Sequence, residues 1–160
     1  MRSKPIQVNT IKELLTEVLA KKPALILLSG APGSGKSTLA KNLAAQLSNC
    51  DHFEADQYFE TSSGYKFNAN KLGIAHQQCQ DNVRNSIEEG RCVIVANTFS
   101  MDWELEPYIK MTKNFILIQL TGDHGNIHGC PEHTVANIRD RIKMRRFQPT
   151  IICNNNINKN

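Results

Sequence analysis

The sequence predicts an α/β fold, a parallel β-sheet flanked by helices, and three observations lead there. Short apolar runs that do not alternate, such as Leu25-Ile26-Leu27-Leu28, Cys92-Val93-Ile94-Val95 and the segment from Phe115 to Leu120, suit strands covered on both faces. Stretches of helical periodicity separate them, and strands alternating with helices favour parallel pairing. A glycine-rich segment, Gly30 to Gly35, stands between the first run and the next helix. Ligands of such sheets bind there, beyond the carboxyl end of a strand.

Residues 10 to 20 place Ile11, Leu14, Leu15, Val18 and Leu19 at helical spacing, with Lys12, Glu13 and Glu17 on the other face and Thr10 able to cap the start. Residues 1–23 therefore read as an N-terminal amphipathic helix that Pro23 stops. Ala24 to Leu28 forms the first strand, and Lys36 to Leu47 a helix with Leu39, Leu43 and Leu47 on one side. Asp56 is expected at the end of a second strand, shortly after that helix. A helix follows from about Ala69 to Glu89, ended by Gly90, then strands over Arg91 to Ala96 and Phe115 to Leu120. Pro131, suited to a first helical position, opens the last helix, with Val135, Ile138 and Ile142 on one face and its end near Arg146. The main domain is bounded at 24–148. From Pro149 the chain passes into an asparagine-rich stretch, and 149–160 reads as a flexible tail.

A chain of 160 residues with 40% hydrophobic content is the size of one compact domain. A net charge of +4, from 19 basic and 15 acidic residues, permits an anionic partner and is too mild to identify nucleic acid. The five cysteines show no CxxC spacing and fit reduced thiols. Charged residues interrupt the N-terminal stretch, and no apolar run approaches the roughly 20 residues that cross a bilayer. The expectation is a cytoplasmic protein with no membrane partner.

Gly30-Ala31-Pro32-Gly33-Ser34-Gly35-Lys36-Ser37 matches GxxxxGK[ST] in full, after an apolar strand and before a helix. In such a P-loop the glycines let successive backbone N–H groups turn inward around a phosphate, which also meets the positive end of the helix dipole. Lys36 would neutralise the β- and γ-phosphates of ATP and the Ser37 hydroxyl would take a Mg²⁺ position, with Thr38 closing the binding segment. This motif refines the fold class to the P-loop NTPase and kinase type. Asp56, at the end of the expected second strand, stands where a carboxylate can accept the proton of an attacking hydroxyl. A helix cap or turn aspartate would occupy the same position.

Several segments in order resemble the P-loop polynucleotide kinase family, notably its kinase-like ATPase domain as found in ubiquitin-ligase-binding proteins. They are the loop Gly30 to Thr38, Phe53-Glu54-Ala55-Asp56-Gln57-Tyr58-Phe59, Ala75-His76, Val93 to Thr98, Trp103-Glu104 with Pro107-Tyr108, and Asn126-Ile127-His128-Gly129-Cys130-Pro131. The resemblance runs from about residue 24 to 146. It implies transfer of the γ-phosphate of ATP to a 5′-hydroxyl of RNA or DNA, with Lys36 and Ser37 in the ATP and Mg²⁺ roles and Asp56 as general base. It also covers His76, Asn97 and Thr98, candidates for the substrate side.

Two positions depart from the family pattern. Its third strand ends in aspartate before Asn-Thr-Asn, where this chain has Ala96-Asn97-Thr98-Phe99, and its lid has arginine where this chain has Gly125. An arginine finger contributes roughly 10³ to 10⁵ in rate. Arg139 and Arg145 are candidate substitutes, provided they face the cleft; a solvated helix surface is the ordinary place for such side chains. The departures keep two alternatives open: an ATP-binding module with little transfer activity, and a small-metabolite kinase. His124, His128, Cys130 and His133 lack the paired spacing usual for zinc. Trp103, the only tryptophan, is expected to pack.

Overall fold

A computed structural model of the chain describes residues 4–125 and 130–155. In chain order the elements are β1 (Ile6–Val8), α1 (Ile11–Lys21), β2 (Leu25–Ser29), α2 (Lys36–Gln46), β3 (Cys50–Phe53), a 3₁₀ helix (Ala55–Phe59) and a hairpin of β4 (Glu60–Thr61) and β5 (Gly64–Tyr65). A 3₁₀ turn (Ala69–Lys71) then leads into α3 (Leu72–Glu88), β6 (Cys92–Asn97), α4 (Asp102–Ile109), β7 (Phe115–Leu120), α5 (Glu132–Met144) and β8 (Ile151–Cys153).

The main sheet has six strands in the order β1-β8-β7-β2-β6-β3, and every pairing in it is parallel. All five residues of β2 are buried, because this strand lies between β6 and β7 and is covered on both faces. Side chains alternate along it. Ile26 and Leu28 face a core with Leu14 and Val18 of α1 and Leu39 and Leu43 of α2. Leu25 and Leu27 face the opposite core, with Ala75, Cys79 and Val83 of α3 and Leu105 and Tyr108 of α4. The connection out of β2 turns toward β3, whereas the one out of β6 crosses β2 to reach β7. The carboxyl end of β2 is therefore the switch point at which such sheets open a ligand crevice.

Residues 149–160 are not simply a tail. Ile151–Cys153 forms β8, with Ile151 and Cys153 buried between β7 and β1. Its partner β1 lies within the segment expected to be only an amphipathic helix. Strands of three residues carry too little periodicity to stand out, and here each is stabilised by a neighbour from the far end of the chain. In α1, Thr10 Oγ1 accepts from Glu13 N at 3.0 Å, and Glu13 Oε1 accepts from Asn9 N at 3.0 Å. Leu14 and Val18 are buried, whereas Ile11 and Leu19 face outward, a narrower apolar stripe than the spacing suggests. Trp103 is 64% exposed, not packed, with its indole N–H donating to Met101 Sδ at 3.3 Å. Pro131 is the cap rather than the first residue of α5.

Candidate active site

The loop between β2 and α2 is shaped by its glycines. Gly33 and Gly35 take φ of 84° and 86°, in the left-handed region that side chains disfavour. At Gly30 the constraint is space, since a Cβ there would stand 2.2 Å from Ser34 Oγ. The loop is also held from outside. His124 N donates to Gly33 O at 2.7 Å, Asn155 Nδ2 donates to Ser34 O at 2.6 Å, and Asn155 Oδ1 accepts from Gly122 N at 2.9 Å. The Gly33 and Ser34 carbonyls are thus tied outward and Ser34 N closes a turn onto Ala31 O, so the amino end of α2 is what the loop offers an anion.

Lys36 and Ser37 open α2, and Thr38, one residue on, is exposed. Burial lowers the Lys36 ammonium from its usual range, and the negative charges of Glu54 and Asp56 offset part of that. Ser37 Oγ donates to Glu54 Oε1 at 2.7 Å, and His52 Nε2 lies 2.6 Å from Glu54 Oε2. Burial works to raise the Glu54 carboxyl. Hydrogen bonds from His52 and Ser37, with the charge of Lys36, outweigh it and hold the group below its ordinary value. Glu54 follows β3 directly and escaped the sequence reading, although it stands only two residues before Asp56.

Asp56 is exposed on the 3₁₀ helix after β3. Two neighbours define its place. Asn97, at the end of β6, is buried and accepts from Ala55 N through Oδ1 at 3.0 Å. Burial, and then the charge of nearby Asp56, raises the phenol of Tyr65 on the β4–β5 hairpin, whose ring stands 6.3 Å from Phe59, centroid to centroid. Tyr65 too carried no distinguishing signal in the sequence.

The remaining candidates separate. His76 is half-buried in the first turns of α3, and Thr98 is half-buried with its carbonyl accepting from Ser29 Oγ at 2.7 Å. Arg139 is half-exposed and pairs with Asp123 at 3.5 Å. Arg145 is not on a solvated surface: it is 4% exposed. Its Nη1 donates to Ser29 Oγ at 3.0 Å and to Phe99 O, and its Nη2 donates to Gln119 Oε1 at 2.8 Å. Gln119 Nε2 in turn donates to Ser29 O at 3.1 Å. The guanidinium is thus committed to the carboxyl ends of β2, β6 and β7, which corrects its assignment as a lid cation. Phe99 sits at φ 48°, a left-handed conformation that costs an aromatic residue energy and is held here by the Arg145 bond and by edge-on packing on Tyr108.

Ala96 is buried and supplies no acidic group, and Gly125, at φ 92°, supplies no cation. Asn126 to Gly129, including His128, lie outside the described residues. Among the described residues no group of three or more histidine, cysteine or acidic side chains is gathered to hold a metal. A cavity of about 560 Å³ opens beside the P-loop, lined by Ala31, Ser34, Leu120, Arg139, Ile142 and Phe147 among others.

The residues present fit a nucleotide phosphate and a magnesium ion. The buried Ser34 hydroxyl, packed against Gly30, has no hydrogen-bond partner among the described residues. The adjoining Ser37 hydroxyl and Glu54 carboxylate are hard oxygen donors of the kind that Mg²⁺ takes in small number when phosphates and water complete its shell.

Comparison with known proteins agrees with this arrangement. Human NEDD4-binding protein 2 is 32% identical over 105 residues, which cover 62% of this chain and 6% of that protein. The chain thus spans a small part of that relative. A gluconokinase from Sinorhizobium meliloti 1021 shares the fold with a TM-score of 0.53 at 12% identity, covering 82% of this chain and 81% of the other. A chain of the Pnkp1/Rnl/Hen1 RNA repair complex superposes with a TM-score of 0.50 at 19% identity, covering 79% of this chain and 40% of the other. Residues 25–120, from the first residue of β2 to the last of β7, match the AAA_33 family model, described as an AAA domain. With that match across more than half of its length, this chain belongs to the AAA domain family, with its P-loop at the start of the matched segment.

Proposed function

We propose that the chain binds ATP with Mg²⁺ in the P-loop and transfers its γ-phosphate to a hydroxyl, with a nucleic-acid 5′ end as the preferred acceptor. The observation that carries this reading is geometric: the P-loop leads from β2 into α2, where Ser37 Oγ donates to Glu54 Oε1 at 2.7 Å, and Asp56 stands exposed two residues beyond Glu54. The charges of both carboxylates bear on Lys36, at the start of the same helix.

In this mechanism the N–H groups at the amino end of α2 and Lys36 hold the β- and γ-phosphates, and their charge stabilises the negative charge that builds on the transferring group. Ser37 and Glu54 would hold a magnesium ion, which would supply positive charge to screen the phosphates. Asp56 accepts the proton of the acceptor hydroxyl as its oxygen bonds to the γ-phosphorus. The bond from that phosphorus to the β–γ bridging oxygen breaks, and ADP leaves with the electron pair. Tyr65, near Asp56, orients the carboxylate.

A nucleic-acid acceptor rests on the sequence resemblance to polynucleotide kinases. The absence of acidic and cationic groups at Ala96 and Gly125 favours a second reading, an ATP-binding module with little transfer. A transfer assay with γ-labelled ATP against 5′-hydroxyl RNA and DNA oligonucleotides, nucleosides and sugar acids separates them. Label on oligonucleotides is the expected result; label only on a small metabolite reassigns the acceptor. ATP binding with no labelled product supports the binding module.

A further inference from the structure

At the amino-terminal ends of β3 and β6, the end of the sheet opposite the P-loop, two cysteines stand side by side. Cys50 and Cys92 are register partners on these parallel strands. Their Cα atoms are therefore separated by about the 4.8 Å between neighbouring strands, inside the window of roughly 4.4–6.8 Å that a disulfide spans. Register partners point to the same face of a sheet, so the two thiols are neighbours that influence each other's proton affinity. Both are half-buried, and β3 is the edge strand, so small solutes can reach them. Cys79 and Cys153, by contrast, are buried in the two cores.

The surroundings hold the pair in register. Cys92 N donates to Asn49 O at 3.1 Å, and Arg91 Nε donates to Asp51 Oδ2 at 2.7 Å while its Nη1 reaches Asn49 Oδ1. Ser86 Oγ of α3 also donates to Asp51. The two sulfurs are not equivalent. The hydrogen bond with Cys50 lowers the Cys92 thiol against an upward push from burial, and the same contact, with burial, raises Cys50. Either sulfur can attack with the other resolving, and the directions of the two shifts favour Cys92 as the attacking one.

We propose that Cys50 and Cys92 are a modification site that forms a reversible intramolecular disulfide on exposure to a hydroperoxide. The Cys92 thiolate attacks the terminal peroxide oxygen, the O–O bond breaks, and Cys92 becomes a sulfenic acid as the alkoxide leaves and is protonated to the alcohol, or as hydroxide leaves and becomes water when the source is hydrogen peroxide. The Cys50 sulfur then displaces the sulfenic oxygen, which leaves as a second water when the source is hydrogen peroxide. Two thiols have lost two electrons and two protons, and the peroxide has been reduced by two electrons. The bond staples the edge strand β3, which leads into Glu54 and Asp56, to β6, which ends at Asn97.

The test is non-reducing peptide mapping of the intact protein treated with stoichiometric hydrogen peroxide, with thiol titration and thermal melting in parallel. The expected result is a Cys50–Cys92 linked peptide, loss of two of the five titratable thiols, and a raised melting midpoint, all reversed by dithiothreitol. C50S and C92S each abolish the link, and a Cys79→Ser variant keeps it. Linkage through Cys130, disulfide-linked dimers, or sulfinic acid at Cys92 without a link overturns the proposal. The mapping is done on the unsubstituted protein, so it decides the matter even if a variant folds poorly.

Discussion

Asp56 shows how a side chain with no fixed meaning in sequence gains one from its neighbours. Asn97 pins the 3₁₀ helix beneath it, and its charge bears on Tyr65 and on Lys36. General-base catalysis contributes about 10²- to 10⁴-fold, so Asp56→Asn is expected to lower transfer by that order while ATP affinity, measured by calorimetry, changes little. Tyr65→Phe keeps the ring on Phe59 and removes the hydroxyl. It is expected to lower kcat several-fold and to change the pH profile, with KM for ATP unaffected. Glu54 makes a separate prediction. Its carboxyl lies below the ordinary value of 4.5 in the folded protein, so the stability it contributes is in place above the unfolded value and is lost as pH falls through the folded one. Glu54→Gln is expected to flatten that acid limb in chemical denaturation measured from pH 6 down to about pH 3, a range set by the carboxylate values.

At the scale of elements, the end of the sheet that carries the site is fastened by Arg145, which follows α5 and ties together groups at the ends of β2, β6 and β7. Removing it orphans buried acceptors, each costing about 1–3 kcal/mol. Arg145→Ala is expected to lose at least about 2 kcal/mol in urea unfolding by the same reasoning. Arg145→Lys is expected not to restore it, because an ammonium cannot reproduce the planar fork. The P-loop is braced in a similar way by Asn155, just past β8. Asn155→Ala is expected to weaken ATP binding severalfold while the melting temperature stays close to that of the unsubstituted chain, which fluorescence titration and melting check together.

Across the whole molecule, the sequence makes legible those features whose pattern is local. Leu25 to Leu28, Val93 to Val95 and Ile116 to Ile118 are buried within their strands because each is a continuous apolar run, and the P-loop is evident because its spacing is its mechanism. What escapes depends on contacts distant in sequence. β1 and β8 each have three residues and acquire their place by pairing with each other. Arg145 looks like a surface cation on a basic helix until the strand ends that receive it are brought together. Glu54 and Tyr65 become informative only when β3 and the hairpin place them beside Ser37 and Asp56. Trp103 shows the reverse, an aromatic that no neighbour covers.

The central claim is that the P-loop and Asp56 form one phosphoryl-transfer site. The most direct measurement is the single-turnover rate of γ-phosphate transfer from saturating Mg·ATP to a 5′-hydroxyl oligonucleotide, for the unsubstituted protein, Lys36→Ala and Asp56→Asn. The account predicts transfer by the first and a drop of about 10²-fold or more in each variant, with ATP still bound by Asp56→Asn. Transfer by Asp56→Asn at the unsubstituted rate would contradict it.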